Sequence, residues 1–283
     1  MVPLFVLFVL AFLATFLGAL HPILDATSVL RMPLAWLLVA FLIFARRHRW
    51  LLIPGALAVG TLLWHYTGWH RTVPTGGSLT LFQHNLYFKN RSPEDVITEI
   101  ERRDPDVITF QEVAARTEFI LTRLAGRYPH QHRCRVAEDI YDMAVLSKLP
   151  LADGSPVCSP NRGLAALQVA SPAGDVWIVS IHLPWPWPFD QPSGLAGAKD
   201  TLATLDGPKI VAGDFNNVPW SHAVKSTATA VGARYLGPRR NTFEIEVSGI
   251  ELPLDHVLAP SGQVERLGKL GSDHNALFAR VGF

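Results

Sequence analysis

The first 70 residues are almost entirely apolar, and this stretch constrains the chain more than any other feature of its sequence. It holds only four of the 25 Lys and Arg residues and one of the 24 Asp and Glu residues. Three apolar segments follow one another at about residues 2–20, 28–45 and 50–68. A helix that crosses the hydrocarbon core of a bilayer needs about 20 residues, and about 17–25 are tolerated. The pattern therefore predicts three transmembrane helices in an integral protein of the inner or plasma membrane.

A cleaved signal peptide is the alternative interpretation of the first apolar segment. Such a peptide normally carries a basic region at its N-terminus. This chain opens with Met-Val-Pro-Leu-Phe, which has no basic residue. A signal peptide would also leave the other two apolar segments unexplained, so three spans are the better prediction.

Orientation follows from the basic loop 46–49 between the second and third apolar segments. It carries three arginines, against the single Arg31 in the preceding loop. Positively charged loops stay in the cytoplasm. The chain beyond Trp69 is therefore expected on the outer, extracytoplasmic side. Residues 71–78, which contain Pro and Gly, are typical of a linker, so we expect an anchor at 1–70 and a catalytic domain at 79–283.

From residue 79 onward, short β-rich runs alternate with helical stretches. Strands are expected near 79–82, 106–110, 143–146, 164–169, 176–181, 210–212, 255–258 and 276–281, and helices near 92–103, 117–124 and 219–231. Interleaved strands and helices without a Rossmann glycine fingerprint indicate a layered α/β domain with packed sheets.

Charge and cysteine content limit the partners of this domain. Beyond residue 70 the formal net charge is −2. Proteins that grip nucleic acid usually carry a basic surplus, because neutralising phosphates supplies most of the non-specific affinity. Nucleic acid is therefore the less favoured partner, although a nuclease is not excluded.

Cys134 and Cys158 lack the spacing of a zinc site; one disulfide and two free thiols both remain open.

Polar residues stand at the ends of several predicted strands, each flanked by apolar sequence. One such residue is usually a cap or turn residue, but here the set recurs along the whole domain. Carboxylates and amides of this kind are hard oxygen ligands for Mg²⁺ or Mn²⁺, and the histidines supply acid and base groups. The members are Asn85, Glu112, His182, Asp214, Asn216, Asp255, Asp273 and His274.

Seven stretches resemble, in order, the motifs of the endonuclease/exonuclease/phosphatase superfamily. That superfamily includes DNase I-like nucleases, apurinic endonucleases, inositol polyphosphate phosphatases and neutral sphingomyelinases. The stretches are Phe-Gln-His-Asn at 82–85, Pro-Asp-Val-Ile-Thr-Phe-Gln-Glu-Val at 105–113, Met-Ala-Val-Leu-Ser-Lys at 143–148, Ser-Ile-His-Leu at 180–183, Gly-Asp-Phe-Asn-Asn-Val-Pro at 213–219, Leu-Asp-His-Val-Leu at 254–258 and Gly-Ser-Asp-His at 271–274. The resemblance suggests a membrane-anchored bacterial member.

The resemblance implies a four-layer α/β sandwich, with two packed β-sheets flanked by helices, after the three transmembrane helices. It implies that Glu112 is the principal ligand of Mg²⁺ or Mn²⁺, with Asp273 assisting, and that Asp214 orients or deprotonates the attacking water. Some members carry a further carboxylate ligand where this chain has Tyr87, so a single ion is expected. Arg162 matches a position that is often basic in the family, and an ordinary solvated charge is the alternative.

The same resemblance implies roles for the remaining polar residues. Asn85, Asn216 and His182 would hold and polarise the phosphoryl oxygens. Asp255 and His274 would form a hydrogen-bonded dyad, in which Asp255 orients the imidazole and raises its basicity. Attack of water on a phosphoester concentrates charge on the phosphoryl and leaving oxygens, which a metal ion and such donors stabilise.

The substrate is indicated only by the anchor and by the aromatic loop, Pro184–Phe189, directly after His182. This loop could enter the membrane interface or hold an acyl or isoprenyl chain, or it could pack on its own domain. With the bilayer as partner, a lipid-linked phosphate or pyrophosphate is the expected substrate. An extracytoplasmic nuclease would use the same residues, and a non-enzymatic membrane module is the third hypothesis. The sequence does not address the oligomeric state.

Overall fold

The computed structural model describes residues 2–44, 48–67, 78–135, 142–154, 156–159 and 163–283. The helices are α1 (Val2–Ala14), α2 (Pro22–Ala26), α3 (Arg31–Ala40), α4 (Leu52–Thr67), α5 (Pro93–Arg103), α6 (Phe119–Leu124), α7 (Gln191–Ala203) and α8 (His222–Ala230). The strands are β1 (Ser78–Asn85), β2 (Val107–Val113), β3 (His130–Cys134), β4 (Asp142–Ser147), β5 (Val157–Cys158), β6 (Leu164–Ser171), β7 (Gly174–His182), β8 (Lys209–Asp214), β9 (Arg234–Tyr235), β10 (Phe243–Ile245), β11 (Ile250–Leu252), β12 (Asp255–Ala259), β13 (Ser261–Arg266) and β14 (Leu277–Gly282).

Two six-stranded sheets form the centre of the domain. The first has the strand order β13-β14-β1-β2-β4-β3, and the second has the order β5-β6-β7-β8-β12-β9. The central pairs β1–β2 and β7–β8 are parallel, and their neighbours are antiparallel. Parallel neighbours end at the same edge of a sheet. The carboxyl ends of β1, β2, β7 and β8 are therefore available to build one site.

Three apolar clusters account for the layering of the domain. One fills the space between the two sheets, with Leu81 and Val145 from the first and Ile178 and Ala212 from the second. Another joins the outer face of the first sheet to α5 and α6. The third joins the outer face of the second sheet to α7 and α8. The expected four-layer α/β sandwich is confirmed.

Helix α5 illustrates how local sequence sets an element. Pro93 occupies the first turn with two acidic residues beside it, and Asp104 ends the helix in the left-handed conformation, at φ 51°. These are favourable positions for Pro and for acidic side chains. Ser92 is the N-cap residue, but its side chain makes no capping bond. Its backbone N–H instead donates to Asn90 Oδ1 at 2.8 Å.

The prediction of three full-length transmembrane helices is wrong. Helix α1 ends at Ala14, and its 13 residues rise about 20 Å, less than the roughly 30 Å hydrocarbon core. His21 and Pro22 then begin a new helix, since the His21 side chain accepts from the Ile23 N–H. Helix α4 has 16 residues. Helices α2 and α3, with the 3-10 turns that adjoin them, form one continuous helical stretch, Pro22–Phe44. Within the described ranges, this stretch of 23 residues is the single one that is long and apolar enough to cross a membrane.

The apolar helices contact the two-sheet domain through hydrogen bonds and apolar packing. Asp25 accepts hydrogen bonds from the backbone N–H groups of His222, at 2.6 Å, and Ala223, at 3.0 Å. The indole Nε1 of Trp220 donates to the Ser28 carbonyl at 2.7 Å. Trp220 also belongs to the apolar cluster of the N-terminal helices. One face of the first turns of this helical stretch, at Asp25 and Ser28, is therefore packed against the domain, whereas Ile23 and Leu30 stay exposed.

The described residues settle the pairing of the two cysteines but not the orientation of the chain in a membrane. Cys134 and Cys158 form a disulfide, which joins β3 to β5. The predicted linker, the basic residues Arg46 and Arg47, and Trp69 lie outside the described residues. The orientation of the chain in a membrane therefore stays a prediction.

Candidate active site

Strand register brings the predicted polar residues together at one edge of both sheets. Asn85 is the last residue of β1 and pairs with Gln111 of β2. In the second sheet, Asp214 at the end of β8 lies between His182 of β7 and Asp255 of β12. Because the two sheets face each other, these strand ends converge on one cavity.

A β-bulge turns Glu112 toward this cavity. The pairing of β2 with β4 shifts between Phe110 and Val113, and Glu112 has a left-handed φ of 54°. A bulge re-aims a side chain that regular alternation would send to the other face. Gln111 stays buried between the sheets, whereas Glu112 lines the cavity.

Asn85 links the two carboxylates at the centre of the site. Its Nδ2 donates to Glu112 Oε1 at 3.0 Å and to Asp214 Oδ2 at 3.1 Å. The second Glu112 oxygen accepts from the Phe88 N–H at 3.2 Å. Burial raises the pKa of Glu112, although Asn85 and the nearby His274 charge act to lower it. A carboxylate held at this position costs free energy unless a positive charge comes close to it.

Asp255 and His274 form the hydrogen-bonded pair that the sequence predicts. His274 Nδ1 lies 2.7 Å from Asp255 Oδ2, and both side chains are buried. Burial acts to lower the pKa of His274, but the carboxylates of Asp255 and Asp214 outweigh it and raise this pKa to about 10. Burial acts to raise the pKa of Asp255, which the His274 charge and hydrogen bond lower below its usual value. The pair is therefore an imidazolium and a carboxylate at neutral pH.

Asp214 lies between the two histidines of the site. Its Oδ2 is 3.6 Å from His182 Nε2 and 3.8 Å from His274 Nε2, and its Oδ1 accepts from the Asn216 N–H at 2.8 Å. Burial raises the pKa of Asp214 to about 8 against the lowering effect of His274. Burial likewise lowers the pKa of His182 to about 4. His182 is therefore a neutral imidazole beside the charged His274.

Of the remaining predicted site residues, Asp273 and Asn216 line the cavity, whereas Arg162 lies outside the described residues. Asp273 lines the cavity, with its Oδ1 4.0 Å from His274 Nε2. Asn216 also lines it, but its Nδ2 donates to the Leu183 carbonyl at 2.8 Å. Tyr87, which stands where some members of the superfamily carry a further carboxylate ligand, also lines the cavity. Arg162 lies outside the described residues, so its role stays a prediction.

The sequence did not predict a buried network of polar side chains that hydrogen-bonds to Asp255 and joins the two sheets. Gln83 Nε2 donates to Asp255 Oδ1 at 3.0 Å and to Gln111 Oε1 at 2.8 Å. Gln111 in turn donates to Ser180 Oγ at 2.9 Å, which joins the two sheets. Thr242 Oγ1 accepts from the Asp255 N–H at 3.0 Å. The available signal was a polar residue in the middle of an apolar strand, as at Gln83 and Ser180.

A cavity of about 960 Å³ lies over these residues, and its lining is both polar and apolar. The carboxylates and imidazoles line it together with Trp185, Pro188 and Phe189 of the aromatic loop. The Trp185 and Phe243 rings lie 5.6 Å apart, and the Phe243 ring lies 4.9 Å from the His274 imidazole. Aromatic side chains therefore continue from the loop to the edge of the dyad.

The donor set fits a hard divalent cation. Oxygen ligands at a partly hydrated site suit Mg²⁺, and Glu112 and Asp273 offer carboxylates to the cavity. Asp214, Asp255 and His274 also place ligand atoms within 4.8 Å of one another. Within that cluster, Asp255 already accepts from His274 and Gln83. The carboxylates of Glu112 and Asp273 are therefore the better candidates for the cation.

Comparison with known proteins agrees with this arrangement. The profile of the Endonuclease/Exonuclease/phosphatase family matches residues 82–274. No curated protein matches the chain by sequence. The domain resembles the solved structure of D. rerio TDP2 complexed with single strand DNA product, at a TM-score of 0.57 and 16% identity, over 72% of this chain and 98% of that one.

Two bacterial structures are similar to a comparable degree. Sphingomyelinase C from Streptomyces griseocarneus has a TM-score of 0.53 and 17% identity, over 73% of this chain and 100% of that one. An endonuclease/exonuclease/phosphatase from Beutenbergia cavernae has a TM-score of 0.52 and 19% identity, over 72% of each chain. At these identities the likeness shows a shared fold, and the substrates of these proteins are not transferred by it.

Proposed function

The chain belongs to the endonuclease/exonuclease/phosphatase family, whose members hydrolyse phosphoesters, and from this premise we propose that it is a metal-dependent phosphoesterase acting on a lipid-linked phosphate or pyrophosphate at a membrane surface. The observation that carries the proposal is the mixed lining of the cavity. Glu112, Asp214 and His274 line it together with Trp185 and Phe189. Ligand sites typically combine an apolar lining with a few convergent polar groups.

The apolar helices support placing this cavity beside a bilayer. Helix α1 exposes Leu7 and Leu10, and helix α4 exposes Ile53 and Trp64. Large apolar patches on a surface mark contacts with protein or membrane. In the proposal, helix Pro22–Phe44 anchors the chain and the catalytic domain lies on the extracytoplasmic face.

In the proposed mechanism, Glu112 would hold one Mg²⁺ or Mn²⁺ ion with help from Asp273. When bound, such an ion supplies positive charge to the phosphoryl oxygens. Asp214 orients the attacking water and, when it is ionised above its raised pKa of about 8, accepts the proton of this water at a carboxylate oxygen. The water oxygen bonds to phosphorus as the bond between phosphorus and the leaving oxygen breaks. Asp214 is suited to this role because Asn85 and the Asn216 backbone hold it in place by hydrogen bonds at 3.1 and 2.8 Å.

His274 supplies the positive charge of the protein itself in this mechanism. Its Nδ1 is held by Asp255, so Nε2 is the nitrogen available to a phosphoryl oxygen. His182 is neutral and serves as a hydrogen-bond donor to the same group. Asn85 and Asn216 complete the phosphate-binding set. Preorganised donors of this kind stabilise charge that develops in the transition state.

An extracytoplasmic nuclease is the second candidate function. Its support is the fold shared with D. rerio TDP2, solved with a single strand DNA product. Exposed aromatic rings such as Trp185 and Trp187 can stack on bases. The formal charge of −2 beyond residue 70 disfavours this alternative, since nucleic-acid binding draws on cationic groups.

The test is a phosphate-release panel with the full-length protein in detergent. The substrates are polyprenyl pyrophosphates, inositol phosphates, phospholipids, sphingomyelin and an oligonucleotide, each with Mg²⁺ and with EDTA. Phosphatase is added to the last three, because cleavage of a phosphodiester releases a phosphomonoester and no free phosphate. The proposal expects Mg²⁺-dependent release from a lipid-linked member. Hydrolysis of the oligonucleotide alone would select the nuclease, and no hydrolysis of any member would overturn the enzymatic proposal.

A further inference from the structure

A second, smaller cavity adjoins the catalytic one at the aromatic loop. It has a volume of about 220 Å³, and Trp185, Phe189 and Asn216 line both cavities. Ala26 and Val29 of the N-terminal helical segment also line the smaller cavity. The hydrocarbon of a substrate whose phosphate lies at the catalytic carboxylates would therefore reach the smaller cavity past these shared side chains.

The lining of the smaller cavity suits hydrocarbon. Besides the loop and the N-terminal segment, its walls include Val218, Leu252 and Leu254. The polar lining is already engaged, because Asn216 Nδ2 donates to Leu183 O and Asn217 Nδ2 donates to Gln191 Oε1, both at 2.8 Å. The apolar lining therefore favours part of an alkyl or isoprenyl chain over a nucleobase, because each buried methylene adds favourable transfer free energy.

Both walls of this cavity are held in place by one asparagine. Asn217 Nδ2 lies 3.4 Å from Asp25 Oδ2, and Ser28 Oγ lies 3.3 Å from Asn217 Oδ1, so the N-terminal segment is bonded to it. Gln191, the partner of Asn217, donates to the Pro184 carbonyl at 2.8 Å at the start of the aromatic loop. The loop and the N-terminal helix therefore keep a fixed distance across the cavity.

A third cavity lies beside the tip of the aromatic loop. Trp187 borders the 220 Å³ cavity and also this cavity of about 230 Å³, which adjoins the turn that joins α1 to α2. Leu20 in this turn is 73% exposed, and Trp187 and Phe189 are 48% and 62% exposed. Exposed apolar side chains of this size favour apolar surroundings.

We propose that the small cavity between the aromatic loop and Ala26–Val29 binds the hydrocarbon chain of the substrate next to its phosphate, and so selects long-chain alkyl or isoprenyl phosphates and pyrophosphates. This inference rests on the proposed phosphoesterase function and adds a determinant of chain length. The N-terminal segment is then part of the substrate site as well as an anchor.

The experiment uses a series of linear alkyl and isoprenyl phosphates that differ only in chain length, with the full-length protein at constant detergent. kcat/KM is expected to rise roughly two- to fourfold for each added methylene until the cavity is filled, since each buried methylene adds favourable transfer free energy. Val29→Trp fills the cavity and is expected to lower kcat/KM at least about tenfold for the long chains, while the short chains change less than about twofold. Leu252→Trp fills it from the opposite wall and is expected to act alike.

The matched control is Leu10→Trp, on an outward face of α1 where the side chain is 59% exposed; its chain-length profile is expected to equal that of the wild type. The melting temperature of each variant shows whether it is folded. A flat chain-length profile with normal hydrolysis of short alkyl phosphates would overturn the inference and leave the phosphoesterase function standing. Equal losses for short and long chains in both folded variants would also overturn it. Failure to hydrolyse any member would overturn the proposed function and this inference together.

Discussion

The carboxylate of Asp25 caps a helix that begins almost 200 residues later, by accepting the His222 N–H at 2.6 Å. The Ala223 N–H donates to the other Asp25 oxygen at 3.0 Å. Helix α8 also has its own cap, because Ser221 Oγ accepts the Val224 N–H at 3.2 Å. The start of α8 thus satisfies three of its free amides, two of them through the N-terminal segment. Asp25 therefore connects the apolar helices to the helix α8 that follows Asp214 and its loop.

Replacing Asp25 by Ala is expected to destabilise the protein by about 2 kcal/mol, because two buried N–H groups lose their acceptor. For a domain of this size that corresponds to a fall in melting temperature of roughly 4–8 °C. The control is Asp190→Ala, since Asp190 precedes α7 but makes no capping bond. A melting temperature equal to that of the control would show that the interaction does not stabilise the fold.

Gly213→Ala is expected to disrupt the pairing of β7 with β8. A Cβ atom at this glycine would lie 2.0 Å from the backbone oxygen of Ile181, and backbone cannot move aside as a side chain can. We expect a loss of at least about 3 kcal/mol, seen as a low yield of folded protein and a lower melting temperature. Gly268→Ala is the matched control, because a Cβ there meets no atom within 4 Å. Equal stability of the two variants would contradict the register described for β7 and β8.

Asp255→Asn is expected to lower kcat by about 10²- to 10⁴-fold with little change in KM, because an amide no longer orients or charges His274. The same change is expected to bring the pKa of His274 down from about 10, since the Asp255 carboxylate contributes to raising it. Steady-state kinetics and imidazole NMR resonances measure the two effects. The control, Asp175→Asn, alters an exposed residue at the start of β7. An unchanged kcat for Asp255→Asn would rule out the dyad as part of the mechanism.

Stability is expected to fall in acid because of buried neutral histidines such as His256. Burial lowers the pKa of His256 from 6.5 to about 4. Between these pH values His256 binds a proton in the unfolded chain but not in the folded chain. The contribution of neutral His256 to the free energy of unfolding is therefore complete above pH 6.5 and is lost as the pH falls toward 4. Its size is up to about 3 kcal/mol.

The measurement is the melting temperature of the wild type and of His256→Gln between pH 7 and pH 4.5. The variant is expected to lose less stability over this interval than the wild type, whatever its stability at pH 7. His130→Gln at a half-buried position in β3 is the control. Parallel pH profiles for His256→Gln and the wild type would refute the prediction.

The site was predictable from the sequence to the extent that it is made of local signals. Apolar runs predicted β1, β2, β7 and β8, and a polar residue at the end of each run marked the site. Asn85, Glu112, His182 and Asp214 stand at or near those ends, and the register of the strands brings them together. The catalytic roles of these residues stay predictions until they are tested.

The features that sequence reasoning missed depend on distant parts of the chain. Helix α7 contains Pro192 and Gly194, which disfavour helix; it is held because Ala198 and Leu202 pack on the second sheet. Gln83 is a polar residue inside an apolar strand, and its partners come from β2 and β12. Local propensity carries no information about such partners.

The anchor was mispredicted for a related reason. Hydropathy measures composition, and residues 15–20 continue the uncharged run of α1, yet they form turns. After these turns, Asp25 and Ser28 hydrogen-bond to the two-sheet domain. Tertiary contacts thus set the helix lengths, and the count of spans derived from hydropathy was too high.

The central claim is that Glu112 holds a divalent cation required for phosphoester hydrolysis, and the most direct measurement compares Glu112→Ala with the wild type. Phosphate release from the best lipid-linked substrate and Mn²⁺ binding by electron paramagnetic resonance are measured together, with Glu101→Ala on the exposed face of α5 as control. We predict that Glu112→Ala lowers Mg²⁺-dependent turnover by at least about 10³-fold and weakens Mn²⁺ binding, while Glu101→Ala changes neither. A Glu112→Ala protein with near-normal turnover would contradict the account.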